Sequence, residues 1–248
     1  MKPALIVTGG SRGIGAATAL LAAQRGYAVA VNYTRNAAAA EQVVTQIRAA
    51  GGSAIAVRAD VADEAQVLSM FRQVDTELGR LSGLVNNAGV VDRAERLDAM
   101  DMQRLRRMFD INVLGSFLCA RQAVLRMSTR HGGTGGAIVN VSSAAARLGG
   151  AGQYVDYAAA KGAIDTFTVG LAREVATEGI RVNAVRPGII ETEIHASGGQ
   201  PNRARKMAPS VPMQRAGSAQ EVAHSIVWLL SAEASYTTGA ILDVTGGR

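Results

Sequence analysis

The sequence predicts an α/β domain: a doubly wound, mostly seven-stranded parallel sheet with helices on both faces. Two observations carry this. Short apolar runs alternate with longer helical patterns along the whole chain, and parallel strands need both crossovers and apolar residues on their two faces. The first run also opens directly into a glycine-rich turn and a helix, at the carboxyl end of a strand, where such sheets place their sites.

Taken in order, Ala4 to Val7 reads as a strand and Gly13 to Arg25 as an alanine- and leucine-rich helix. A strand from Ala28 to Asn32 precedes a helix from about Ala37 to Ala50. Ala54 to Arg58 is the third strand, Glu64 to Leu78 the third helix, and Leu84 to Asn86 a short fourth strand. A long helix, with room for an interruption, is predicted from near Asp98 to Arg130. Ala137 to Val141 is the next strand, followed by a helix from about Gly152 to Thr177. Arg181 to Val185 and Ile241 to Val244 complete the strands, with a helix near Ala219 to Leu230 between them. No repeat, low-complexity segment or linker divides the chain, so residues 1–248 read as a single domain.

Composition narrows the function classes. A length of 248 residues with 48% hydrophobic content buries one large core, and 28 glycines against 4% aromatic residues point to tight turns rather than a base-stacking surface. The net charge of +6 and the pI near 10.0 invite a nucleic-acid reading. Basic residues cluster only modestly, at Arg104-Leu105-Arg106-Arg107 and Arg203-Ala204-Arg205-Lys206. Solvated helix faces and an anionic small molecule account for them better than nucleic acid does. No apolar run approaches the ~18 residues of a membrane span, and nothing resembles an export signal. The lone Cys119 lies in an apolar helical context and reads as a packed thiol; a cytoplasmic protein is expected.

The chemistry centres on Tyr157-Ala158-Ala159-Ala160-Lys161 together with Ser143, fourteen positions earlier. Residues four apart on a helix share a face, so an ammonium can act on a phenol. A nearby positive charge favours the phenolate, which makes Tyr157 usable as an acid or base. The Ser143 hydroxyl, at a strand end, can hold a carbonyl oxygen where that proton is delivered. Tyr154 lacks an ammonium partner, since its i+4 position is Ala158. Ser142 and Ser143 alternate, so only one of them faces the pocket. Earlier in the chain, Thr8-Gly9-Gly10-Ser11-Arg12-Gly13-Ile14-Gly15 follows the first strand and opens the first helix. Its glycines allow close backbone approach, and the helix amino terminus offers N–H groups to a pyrophosphate.

Further motifs sit at the expected places. These are Asn86-Asn87-Ala88-Gly89 after the fourth strand, Asn112 in the long helix, and Pro187-Gly188 before Ile189-Ile190-Glu191-Thr192. With TGxxxGIG on Thr8 to Gly15, NNAG, and the Ser143, Tyr157 and Lys161 set, the chain resembles the short-chain dehydrogenase/reductase family over nearly its whole length. Within that family it is most similar to bacterial 3-oxoacyl-carrier-protein reductases and sugar or alcohol dehydrogenases. The segment between Ser143 and Tyr157 is one residue longer than in the acyl-carrier reductases, which leaves the shape of the Leu148 to Gln153 loop open.

The resemblance implies a Rossmann fold and a nicotinamide-dependent oxidoreductase. Ser143 and Tyr157 would bind the substrate carbonyl and Tyr157 would donate its proton. Lys161 would hold the nicotinamide ribose and lower the tyrosine pKa, and Asn112 would help order a proton-supplying water. The cofactor would lie along Gly9, Ser11, Arg12, Gly13, Ile14 and Gly15, with Asp60 and Val61 at the adenine. Asn87, Ala88 and Gly89 would line the adenine-ribose end, and Pro187, Gly188, Ile190 and Thr192 the nicotinamide end. Homotetramers built on the two long helices are the family's usual assembly.

Cofactor preference can be read from the residues. No acidic residue occurs before Glu41, and the second strand ends in Asn32-Tyr33-Thr34-Arg35. A 2′-phosphate would meet Arg35 and Arg12 and no carboxylate, which predicts NADP(H) over NAD(H). Residues Thr192 to Arg215, rich in glycine and proline, read as a lid carrying His195. Gln153, Tyr154 and Val90-Val91-Asp92 are further pocket candidates. Arg130, Arg203 and Arg205 could receive an acidic carrier protein, although Glu178 stands where acyl-carrier reductases commonly carry a basic residue. A carbonyl or secondary alcohol substrate is therefore favoured over an acyl-carrier substrate. A catalytically silent NADPH-binding regulator is the reading from another class.

Overall fold

A computed structural model describes residues 2–193 and 198–248; His195 lies outside the described residues. Seven strands form one sheet: β1 (Ala4–Val7), β2 (Ala28–Tyr33), β3 (Ser53–Arg58), β4 (Leu81–Asn86), β5 (Gly136–Val141), β6 (Ile180–Pro187) and β7 (Ile241–Val244). Their order is β3-β2-β1-β4-β5-β6-β7. All pairings are parallel. The chain winds outward from β1 to β3, returns to β4, and winds outward again on the other side. The switch point between β1 and β4 is where such a sheet opens a crevice at its carboxyl edge.

The helices are α1 (Gly13–Gln24), α2 (Ala37–Ala49), α3 (Glu64–Glu77), α4 (Met102–Phe109), α5 (Gly115–Met127), α6 (Ala145–Leu148), α7 (Val155–Val175), α8 (Arg203–Met207) and α9 (Ala219–Leu230). Strand alternation sorts the core into two layers. Leu5 and Val7 face α1, α2 and α9, packing with Ala22, Val43, Ile47 and Ile226. Ala4 and Ile6 face α3, α5 and α7, packing with Met70, Phe71, Cys119, Ala123 and Ala172. Each buried Val, Leu or Ile in these layers contributes about 1.5–3 kcal/mol. Burial pushes the Cys119 thiol up to about 12, leaving it without thiolate character at neutral pH.

Several boundaries differ from the sequence reading for physical reasons. β4 begins at Leu81, not Leu84, because Gly83 admits the Leu5 side chain, which would stand 2.7 Å from an added Cβ. The long helix starts at Met102, where Asp101 caps it by accepting from the Arg104 N–H at 2.7 Å. It is interrupted by a π-helical turn, Asp110–Leu114, with Asn112 at its centre. Helix α7 begins at Val155, after Gly149, Gly150 and Gly152 adopt positive φ. The short helices α6 and α8 were not legible as periodic patterns. Met102–Met127 is long and apolar enough to cross a membrane by length and composition, a feature the search for uninterrupted apolar runs missed. Its inward face is core: Cys119, Ala120, Ala123 and Met127 are buried under the sheet.

Candidate active site

The carboxyl ends of β1, β4, β5 and β6 converge on one cavity of about 370 Å³. Its lining brings together Ile14, Asn87, Gly89, Ser143, Tyr157, Lys161, Pro187, Gly188, Ile190 and Thr192, residues up to 178 positions apart in the chain. The pocket candidates Val91, Gln153 and Tyr154 also line it. Val90 packs beside Tyr157 instead, and Asp92 pairs with Arg107 at 3.1 Å.

Ser143 follows β5, and its Oγ accepts from the Ala145 N–H at 3.1 Å, which fixes the start of α6. It also lies on the same cavity wall as the Tyr157 phenol, near enough to favour the phenolate. Tyr157 and Lys161 sit one turn apart near the start of α7, and the Lys161 Nζ lies 5.7 Å from the Tyr157 ring centroid. That ammonium donates to the Val141 carbonyl at 2.8 Å. Ser142 lines the cavity together with Ser143, contrary to the expectation that only one of them would face it. Its Oγ is engaged, however: it donates to the Lys161 carbonyl at 3.2 Å and ties α7 to the strand end.

Electrostatics at the pair depart from the sequence expectation. Burial pushes the Tyr157 phenol above its ordinary value, and the Ser143 hydroxyl opposes this only in part. Burial also lowers the Lys161 ammonium to about 8, with the Asp165 carboxylate pulling it back up. The phenol's own desolvation is the largest influence on it and outweighs the lowering from Ser143, so it is raised here rather than lowered.

The glycine loop is held by amides. The buried Asn32 accepts from the Gly9 N–H at 3.1 Å and donates to the Val57 and Ala59 carbonyls at 3.3 and 3.0 Å. Its side chain is thus spent on the fold rather than presented to a ligand. Asn87 donates to the Thr8 and Gly9 carbonyls at 2.8 and 3.0 Å, while the Thr8 hydroxyl accepts from the Asn87 and Ala88 N–H groups. Gly15 admits no side chain, since a Cβ there would stand 2.4 Å from the Gly9 carbonyl. Gly13 takes φ +54 and opens α1, which has no side-chain cap and no acidic residue in its first turn. Ser11 lies half-buried within this loop. Uncapped N–H groups at a helix amino terminus with glycine-only clearance fit the pyrophosphate of a dinucleotide.

Asn112 is fully buried in the π-turn. Its Oδ1 accepts from the Val90 N–H at 3.1 Å, and its Nδ2 donates to the Val90 and Met108 carbonyls, each at 3.0 Å. A Cβ on Gly89 would stand 2.7 Å from Asn112 Oδ1 and 3.6 Å from Lys161 Nζ, so glycine lets both approach.

The adenine-side candidates lie outside the cavity. Asp60 Oδ1 accepts from the Ala62 N–H at 3.0 Å, and the Val61 side chain is buried against Gly115. Thr34 and Arg35 are exposed beyond β2. Arg12 pairs with Glu193 at 3.2 Å on the surface, an exposed contact worth little and readily exchanged for a phosphate. Sequence reasoning missed Arg58, exposed at the end of β3 and in register with Tyr33. It also missed Asp165, one turn beyond Lys161 and bonded to Arg186 at 2.8 Å; an i+4 acid after the lysine was the available signal.

The family model described as Enoyl-(Acyl carrier protein) reductase matches residues 9–248. A curated relative, "Uncharacterized oxidoreductase YgfF" of Escherichia coli, is 56% identical over 243 residues, covering 98% of each chain. The "3-oxoacyl-[acyl-carrier-protein] reductase FabG" of Staphylococcus aureus is 38% identical over 247 residues, covering 100% of this chain and 98% of its own. Among solved structures, a short-chain type dehydrogenase/reductase from Mycobacterium marinum superposes with a TM-score of 0.92 at 34% identity, covering 99% of this chain and 94% of its own.

The depressed Lys161 value sets a pH test. With a folded value of about 8 against roughly 10.4 unfolded, the unfolded chain holds more protons between those values, so this group's contribution to stability rises with pH there. The unfolding free energy of wild type relative to Lys161→Met should therefore move in favour of wild type between about pH 7 and pH 10. Denaturant titrations showing a constant gap would count against a buried, destabilised ammonium.

Proposed function

The chain belongs to the short-chain dehydrogenase/reductase family, and from that premise we propose an NADP(H)-dependent oxidoreductase acting on a carbonyl or secondary alcohol, with Tyr157 as general acid and base. The observation that carries this is the Ser143, Tyr157 and Lys161 cluster on the wall of a cavity shared with Ile14, Asn87 and Gly89 of the nucleotide loops. When bound, the nicotinamide supplies or accepts the hydride. Ser143 orients the substrate oxygen and Tyr157 gives it a proton. The raised phenol enters the reaction protonated, which suits reduction at neutral pH. Lys161, fixed by the Val141 carbonyl, holds positive charge beside that proton. The Asn112 amide is spent on Val90, so Asn112 positions Gly89, and any water it orders is met by the backbone of the π-turn.

NADP(H) is favoured because the end of β2 offers exposed Arg35, and β3 exposed Arg58, with no acidic residue before Glu41. Arg12, held only in an exposed pair with Glu193, stays a second candidate cation for the 2′-phosphate.

The relatives named as acyl-carrier-protein reductases favour a second reading, reduction of a carrier-bound 3-oxoacyl group. Against it, Arg130 stands 3.9 Å from Glu178, which also accepts a hydrogen bond from Ser128. Arg130 is thereby partly offset and Arg203 lines the cavity, which leaves Arg205 as the exposed member of the three without an ion pair among the described residues. A silent regulator has no use for the Ser143 and Tyr157 pair. Cytoplasmic operation suits the single buried cysteine.

A homotetramer is supported by apolar surface on α5 and α7. Leu114, Phe117 and Leu125 are 52%, 44% and 47% exposed, and Phe117 stacks on Phe167 at 3.8 Å. An apolar face of this kind marks an association site.

Three outcomes are expected. Tyr157→Phe lowers kcat for ketone reduction by about 10²–10⁴-fold while fluorescence titration still detects NADPH binding; undiminished turnover would remove Tyr157 from the mechanism. Wild type uses NADPH with a higher kcat/KM than NADH, and Arg35→Gln reduces the NADPH value about tenfold, the scale of one charged hydrogen bond; equal values for the two cofactors in wild type reject the assignment. Light scattering gives about four times the 25.7 kDa chain mass, and Phe117→Asp gives a smaller species; a monomer in wild type excludes the tetramer.

A further inference from the structure

The cavity has a second polar wall that proton transfer does not use. Arg203, the first residue of α8, lines it. Its Nη1 donates to Gln200 Oε1 at 3.0 Å and its Nη2 to Gln153 Oε1 at 3.1 Å. The guanidinium carbon stands 5.1 Å from the centroid of the Tyr154 ring. Gln200 closes the cluster by donating to Tyr154 Oη at 3.1 Å. Ala204 anchors α8 beneath, buried with Ile189 and Val211.

Every one of these partners is neutral. Arg104, Arg126, Arg186 and Arg215 each meet a carboxylate within 3.0 Å, whereas among the described residues none pairs with Arg203, and no Asp or Glu side chain lines the cavity. A guanidinium offers five N–H donors, of which the two glutamines take two, leaving a fork for a planar anion. The aromatic face and the two amides hold its plane in advance, which reduces the ordering cost of binding. A partly desolvated cation aimed at a ligand space, with no protein counter-charge, is complementary to a charge the ligand brings.

We infer that Arg203 recognises a carboxylate on the substrate, so that the substrate class is a small oxo acid and its hydroxy acid. The inference rests on the oxidoreductase reading above. In the reduction, a C–H and an O–H bond form as the carbonyl π bond breaks, the reduced nicotinamide is oxidised, and the proton comes from Tyr157. The carboxylate and Arg203 are unchanged by the step.

The test compares acetoacetate and levulinate with their methyl esters, using NADPH and wild type, Arg203→Gln and Arg203→Lys. Wild type is expected to favour at least one acid over its ester about tenfold or more in kcat/KM. Arg203→Gln should abolish that ratio through KM, and Arg203→Lys should keep part of it. Preference for both esters in wild type, or an equal fall for acid and ester in Arg203→Gln, overturns the inference. If no compound is turned over, the oxidoreductase reading fails for this class. Calorimetric binding of levulinate then decides the Arg203 assignment alone: a several-fold weaker Kd in Arg203→Gln supports it, and an unchanged Kd or no binding to wild type rejects it.

Discussion

Burying one ammonium at the carboxyl edge of a parallel sheet is the constraint around which this site is arranged. Lys161 is 5% exposed, and an isolated charge at such a position is costly unless polar groups surround it. The last residue of β5 supplies a carbonyl, Ser142 grips the lysine backbone, and Asp165 follows one turn later. Asp165 is in turn held by Arg186 of β6 at 2.8 and 2.9 Å. Strand ends β5 and β6 are therefore coupled to helix α7 through two cations, Lys161 and Arg186. Gly89 belongs to the same constraint, since any side chain there would strike Asn112 and crowd the lysine.

The loops around that cation are tied by amides instead of charges. An asparagine offers both a donor and an acceptor, so it can satisfy an N–H and a carbonyl of a neighbouring segment at once. Asn32 does this between the glycine loop and β3, Asn87 between the glycine loop and β4, and Asn112 between the π-turn and Val90. Deeper in the sheet, Asn86 donates to Asn140 at 2.9 Å and Asn140 to Thr168 at 2.9 Å. The glycine loop and the turn after β4 are thus fixed by amides and a hydroxyl rather than by carboxylates, which would repel the phosphates of a dinucleotide. Two costs remain visible: Asn86 Oδ1 and Asp165 Oδ1 are buried without a hydrogen-bond partner among the described residues, the amide oxygen alone a defect of about 1–3 kcal/mol.

Much of this was legible in the sequence, for identifiable reasons. Seven strands were found because buried parallel strands are continuous apolar runs, and the helix near Ala219 to Leu230 was found from its pattern, its start fixed in the structure by a Ser218–Glu221 capping box. Tyr157 and Lys161 were singled out because an i, i+4 pair on a helix carries its geometry in its spacing, and the structure brings them with Ser143 to one cavity. The π-turn was not legible, since its cause is the tertiary grip of Asn112 on Val90. Nor was the Arg203 cluster, whose members Gln153, Tyr154, Gln200 and Arg203 come from two loops and two helix starts with no common period. The raised Tyr157 phenol was missed because spacing reports a neighbouring charge but not the desolvation that outweighs it.

The basic excess of the chain acquires a local meaning once the ion pairs are known. Arg12 and Arg130, each expected to face a ligand or partner, are paired with Glu193 and Glu178. Among the described residues Arg35, Arg58 and Arg203 have no carboxylate at ion-pair distance. The first two stand at the carboxyl ends of β2 and β3, and the third stands on the wall of the candidate cavity. Positive charge is therefore left unneutralised at both ends of the crevice that begins at the β1/β4 switch point. Since exposed pairs stabilise a fold by little, neutralising these cations would gain the protein almost nothing. Leaving them open gives a ligand with negative charge at both extremities a reason to lie along the sheet edge in one direction only.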